Sequence, residues 1–104
     1  MCIKWKYVIS ITLLVLSSGA HARKNCPVAK IDHIQIESGV ILYFQSGVWR
    51  RLGVISDVGT KERYSALLAA QMSGKNVMIA YRNDDYDCHK TNYGESSYIV
   101  RTYN

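Results

Sequence analysis

Two Ser-Gly pairs, Ser38-Gly39 and Ser46-Gly47, cut the first half of this chain into short runs rich in β-branched and aromatic residues. Glycine takes the left-handed backbone conformations that tight turns need. The three runs therefore read as strands of an antiparallel meander. Residues 31–37 (IDHIQIE) alternate weakly, with Ile34 and Ile36 on one side. Residues 40–45 (VILYFQ) are apolar on both faces, with Val40, Leu42 and Phe44 opposite Ile41 and Tyr43. Residues 48–55 (VWRRLGVI) alternate again, with Arg50 interrupting Val48, Leu52 and Val54. Gly53, inside the third run, signals a bulge or bend of the kind that lets a sheet curl toward a barrel.

The hydrophobic period then changes. In KERYSALLAAQMSG, which begins at Lys61, the residues Tyr64, Leu67, Leu68 and Met72 fall at i, i+3, i+4 and i+8, a helical stripe. Thr60 is the expected N-cap, and Glu62 favours the helix dipole from the first turn. Gly74 is expected to end the helix in a left-handed conformation. Ala66, Ala69 and Ala70 raise helix propensity and leave a smooth flank. Residues 76–82 (NVMIAYR) read as a strand with Val77, Ile79 and Tyr81 on one face. Residues 83–92 read as a polar loop, and residues 97–103 (SYIVRTY) as the final strand. The order is β-β-β-α-β-β. An all-β chain of five strands, with one helix between the third and fourth, is the order expected of an OB-fold, a small, partly open Greek-key barrel. A ferredoxin-like domain needs a helix after its first strand, and no room exists for one.

A length of 104 residues allows one domain at most, and the first fifth reads as a removable signal. Lys4 and Lys6 give a charged start, residues 7–16 are apolar apart from Ser10 and Thr12, and Ala20-His21-Ala22 is a small-residue cleavage signature. The apolar run is shorter than the about 20 residues a membrane span needs. Neither Cys2 nor Cys26 has the surroundings of a lipid-attachment cysteine. The expected division is a cleaved signal peptide over residues 1–22 and a single domain over residues 23–104, exported to the periplasm or secreted. Cleavage removes Lys4 and Lys6 from thirteen basic residues, leaving eleven against eight acids and a net charge of +3. So mild an excess, without Lys and Arg clusters, reads as ordinary surface and not as a nucleic-acid footprint.

Cleavage also leaves two cysteines, Cys26 and Cys88. In a small exported chain they read as one disulfide, the alternative being two free thiols. Closing so long a loop stabilises by about 4 kcal/mol in the chain-entropy account, against a total stability on the order of 5 kcal/mol for a domain this small. His33 and His89 belong to no spaced metal motif. Asp84, Asp85 and Asp87 lack the Gly and the distal Glu of an EF-hand loop and read as a solvated loop. With no Gly-rich phosphate loop, nucleophile elbow or HExxH motif, the expectation is a non-enzymatic protein with no metal and no cofactor. The aromatic residues say more. Residues 23–104 keep seven tyrosines and one tryptophan, Trp49. Such side chains combine a flat apolar face with a hydrogen-bonding tip, which suits carbohydrate or protein contacts. Tyr64 and Tyr81 read as core. Trp49-Arg50-Arg51 is open to two readings, a binding edge offering stacking and charge, or plain surface.

Cys26, the meander, a helix running into SGKNVMIAY and then Cys88 together resemble the receptor-binding B subunits of AB5 bacterial toxins. The placement of the cysteines is similar to that in the cholera and heat-labile enterotoxin B subunits, where an N-terminal cysteine pairs with one just after the fourth-strand region. YSALLAAQMSGKNVMIAY, residues 64–81, is similar to the helix-strand stretch of the subtilase cytotoxin and typhoid toxin B subunits. The resemblance covers roughly residues 29–88 and is a pattern, not a diagnostic motif. It implies an OB-fold in a homopentameric ring, with helices lining a central pore and edge strands paired between neighbours. It also implies host-cell glycans bound on the exposed surface and a catalytic A subunit docked on the ring. In such a ring Lys61, Ala66, Ala69 and Ala70 are the helix positions that face neighbours. The chain departs from both glycan sites of the family. Lys90 stands where the cholera-type subunits place a stacking Trp, and Ala29 where the subtilase-type subunits place a serine on sialic acid. Ligand contacts are therefore expected from Tyr43, Trp49, Arg50 and Arg51. The alternative is a small monomeric periplasmic or secreted protein with the same barrel and a protein-binding or inhibitory role.

Overall fold

The computed structural model describes residues 23–104, so the signal peptide read over residues 1–22 lies outside the described residues. A two-residue strand, β1 (Lys24–Asn25), precedes the meander β2 (His33–Glu37), β3 (Val40–Gln45) and β4 (Val48–Val54). Both central residues of each connecting turn have positive φ: 49° and 77° at Ser38 and Gly39, 53° and 83° at Ser46 and Gly47. This is the hairpin turn whose twist matches that of its strands. It fixes the registers Glu37 opposite Val40 and Gln45 opposite Val48.

The bulge expected at Gly53 is present. Ile41 pairs with Gly53 but Leu42 pairs with Arg51, so Leu52 is the extra residue. A Cβ on Gly53 would lie 2.7 Å from Oγ1 and 2.9 Å from Cγ2 of Thr60. Gly53 is thus the place where the next element presses onto β4. That element is helix α1 (Thr60–Ser73). Its start corrects one expectation. The residue before the helix is Gly59, at φ 88°, with no side-chain cap; Thr60 is the first helical residue, fully buried against Gly53. The far end is as expected: Gly74 is left-handed at φ 69°. Its N–H donates to Gln71 O at 3.2 Å, and Lys75 N–H donates to Ala70 O at 2.9 Å, the pair of bonds that closes a Schellman end. The buried face of the helix runs through Thr60, Leu67 and Ala70, with Tyr64 packed beside them. Met72, expected on this stripe, is 80% exposed. It lies five residues past Leu67, about 140° further around a helix of 3.6 residues per turn.

After α1 comes β5 (Val77–Tyr81), buried along its whole length. The rest of the chain corrects the single last strand. Instead there are β6 (Asn92–Ser96) and β7 (Ile99–Thr102). β6 runs parallel to β4 and completes the sheet β2-β3-β4-β6, whereas β7 pairs antiparallel with β5 in the sheet β1-β5-β7. The described chain is therefore all-β with one helix, in two sheets. The inner faces enclose Ile31, Ile41, Tyr43, Leu52, Leu67, Val77, Ile79 and Tyr81.

Cys26 and Cys88 form a disulfide, with both residues buried and Cα atoms 5.5 Å apart. Cys26 N–H donates to Ile79 O at 2.9 Å, so the bridge ties the loop after β5 to the strand that loop leaves.

Two outcomes follow from these contacts. Reduction of the disulfide, or Cys26→Ser with Cys88→Ser, is expected to remove about 4 kcal/mol, read as a loss of most of the denaturant midpoint of the oxidised protein. Gly53→Ala, which collides with Thr60, is expected to cost about 1–3 kcal/mol, and Thr60→Ser in the same chain is expected to return part of it by removing the methyl group, one of the two clashing atoms.

Candidate functional site

Strand residues alternate between faces, so the meander presents a second set of side chains outward. Register places His33, Phe44 and Trp49 in one row across β2, β3 and β4, and Gln35, Leu42 and Arg51 in the next. The first row is a run of rings. Phe44 lies 5.6 Å from His33 and 5.2 Å from Trp49, centroid to centroid, and His33 is 6.3 Å from Trp49. Beside it the surface sinks into an open groove of about 560 Å³. Val40 and Leu42 form its floor, Gln35, Glu37 and Ser38 its wall on the β2 side, and Trp49, Arg51 and Tyr93 its wall on the β4 and β6 side.

Each wall is held by hydrogen bonds. Gln35 Nε2 donates to Glu37 Oε2 at 3.1 Å. On the other side, one step along β4, from Arg50 to Arg51, corresponds to four steps along β6, from Asn92 to Ser96. Arg51 bridges this irregularity: Nε donates to Ser96 Oγ at 3.0 Å and an Nη donates to Gly94 O at 3.3 Å. Asn92 Oδ1 accepts from Gly94 N–H at 2.7 Å. Tyr93 sits inside this stitched segment, 51% exposed.

Directly beneath, the inner face is polar where a β-rich core is usually oily. Arg50 is 1% exposed. Its guanidinium donates to Gln45 Oε1 at 2.8 Å and to Cys88 O at 2.6 Å. Gln45 Nε2 in turn donates to Ala29 O at 2.9 Å and Val77 O at 3.0 Å. The Tyr43 and Tyr81 hydroxyls are 2.8 Å apart, Tyr81 OH donates to Arg51 O at 3.0 Å, and Tyr81 stacks on Tyr86 at 3.7 Å. Arg50 Nε and Tyr86 OH have no partner among the described residues. Burial pushes the Tyr43 hydroxyl up to about 12 against the pull of the Arg50 charge. Burial, then the neighbouring tyrosines, raises Tyr81, and burial raises Tyr86.

The expected ligand contacts thus divide. Trp49 and Arg51 stand on the groove. Tyr43 and Arg50 do not: strand alternation turns them inward, and they are buried between the sheets, away from any surface ligand. Gln35, Glu37 and Tyr93 were not foreseen as site residues. The weak alternation of IDHIQIE holds a signal for the first two, since it sets Gln35 and Glu37 opposite Ile34 and Ile36. Of the helix positions, Lys61 and Ala69 are exposed and Ala66 half-buried. Ala70 instead packs into the core of its own chain, because the buried face of α1 is rotated toward it. In the 83–92 segment, Asn83 Oδ1 accepts from Asp85 N–H and Asp87 Oδ1 from His89 N–H, both at 2.9 Å, which are local turn bonds.

No family model, curated protein or solved structure matches the chain. Among the described residues no helix is long and apolar enough to cross a membrane, and no three His, Cys, Asp or Glu side chains gather as metal ligands.

The tyrosine cluster sets a pH dependence. An acid whose folded value lies above its unfolded value of about 10 stabilises the fold fully below pH 10 and loses that contribution as pH rises to the folded value. Melting temperature is expected to fall from about pH 10 through about 12, and Tyr43→Phe is expected to flatten part of that fall.

Proposed function

We propose that the chain is an exported, non-enzymatic carbohydrate-binding protein with an OB-like barrel, of the AB5 B-subunit type, that binds host-cell glycans in the outer-face groove and works as a homo-oligomeric ring. The observation that carries this reading is the composition of the groove: aromatic side chains Trp49 and Tyr93 on one wall, hydrogen-bonding Gln35 and Glu37 on the other, and an apolar floor between them. A sugar ring has apolar C–H faces and a polar rim, and needs both kinds of surface.

Two further features support the reading. The C-terminal segment pairs with β4 through β6 and with β5 through β7, so it joins both sheets as barrel closure requires. Among the described residues β2 is an edge strand, paired only with β3, and Ile36 on it is 50% exposed. Neighbouring subunits in a ring would cover such an edge.

Trp49 is the one tryptophan of residues 23–104, so the selectively excited tryptophan emission of that segment reports on the groove. Titration of oxidised residues 23–104 with oligosaccharides selected on a glycan array is expected to shift that emission, and Tyr93→Ala is expected to weaken binding about tenfold or more, as removal of one stacking ring does. A native mass spectrum is expected to show an oligomer, five-fold in mass. An array with no bound glycan overturns the carbohydrate reading, and a single-chain mass overturns the ring.

A further inference from the structure

The two charged groups of the groove do different things. Arg51 is turned toward β6, where its Nε and one Nη donate to Ser96 Oγ and Gly94 O on the segment that carries Tyr93. Both partners are neutral, and together they hold that segment at the point where the β4–β6 ladder skips. Glu37 stands on the opposite wall. Among the described residues its one hydrogen-bond donor is the Gln35 amide, to Oε2. A carboxylate has about four acceptor sites, so Glu37 keeps most of its capacity for a ligand. β2 and β4 are separated by two strand spacings, about 10 Å, and within the groove the side chains of Val40 and Leu42 lie between them. That width takes one sugar ring, with one edge toward Glu37 and a face or the opposite edge against Trp49 and Tyr93.

Resting on the reading of the groove as a glycan site, we propose that its ligand is an uncharged sugar whose adjacent hydroxyls donate to Glu37, and that Arg51 is a positioning residue for Tyr93 and not the receiver of a ligand anion. Neighbouring hydroxyls match the two oxygens of a carboxylate, and hydrogen bonds to a charged acceptor are the stronger kind. A ligand carboxylate at that edge would meet Glu37 as a like charge and would supply no donor. Arginine suits the positioning task because its planar fork reaches two acceptors at fixed spacing, which an ammonium does not.

The test uses oxidised residues 23–104, Trp49 emission, and neutral di- and trisaccharides of glucose, galactose and mannose, each paired with the form in which one hydroxymethyl group is oxidised to a carboxylate. The neutral member is expected to bind about tenfold or more tightly than its acidic counterpart. Glu37→Gln, at an exposed position, is expected to weaken neutral binding and to erase that discrimination at unchanged melting temperature. Arg51→Lys keeps the charge and is expected to weaken binding as much as Tyr93→Ala, with the two changes together adding little, the signature of one residue acting through the other. Acidic sugars binding as tightly as neutral ones, or Arg51→Lys leaving affinity intact, overturns the proposal and leaves the groove a glycan site. Absence of binding by every sugar in the panel overturns the glycan reading itself, and the proposal with it.

Discussion

A positive charge with no carboxylate partner among the described residues sits between the two sheets, and much of the rest is organised around satisfying it. Burying a guanidinium is expensive unless its donors are used. Arg50 uses its two Nη groups on Gln45 Oε1 and Cys88 O, and Gln45 passes the connection on to Ala29 O and Val77 O. One polar hub therefore reaches β3, β4, β5, the segment after β1 and the loop that carries Cys88. Apolar packing alone would let the two sheets slide past one another, since it has no direction. Hydrogen bonds with fixed geometry give the sheets one relative position. The disulfide acts at the same place: it anchors the residue whose carbonyl Arg50 needs.

The groove inherits this order. Three successive residues of β4 each hold the C-terminal segment: Trp49 N–H donates to Thr91 Oγ1, Arg50 to Cys88 O, and Arg51 to Gly94 O and Ser96 Oγ. The middle one works from inside and the outer two from the surface. The bulge at Leu52, opened by Gly53, ends this stretch and lets α1 close over the inner face. The exposed wall of the groove is thus the outer side of the same strand whose inner side holds the hub.

Much of the scaffold was legible in the sequence. Ser38-Gly39 and Ser46-Gly47 declared the meander because their turns need two left-handed residues, and Gly74 declared the helix end for the same reason. Gly53 marked the bulge. The two cysteines paired as their count suggested. What could not be read depends on tertiary placement. NYGES, residues 92–96, has one aromatic and no β-branched residue, and is a strand only because β4 lies beside it. Thr60 looks like a cap and serves instead as a buried contact for Gly53. Arg50 and Arg51 are adjacent and chemically identical in the sequence; the alternation of one strand sends the first inside and the second to the groove. Gln35 and Glu37 were within reach of the alternation in β2, but Tyr93 was not, because its place depends on a ladder that skips.

The bonds from β4 to the C-terminal segment also set a timetable. They join residues 49–51 to partners 38 to 45 positions later, and the disulfide closes over 62. Contacts so distant along the chain form slowly, because loop closure must precede any gain from them. The meander is complete as a local structure after about half of the chain has been made, yet its outer wall waits for the last dozen residues. A chain whose last residues are still unmade thus carries Trp49 but not a finished groove, and the wall that holds Tyr93 is the last part of the fold that can be set in place.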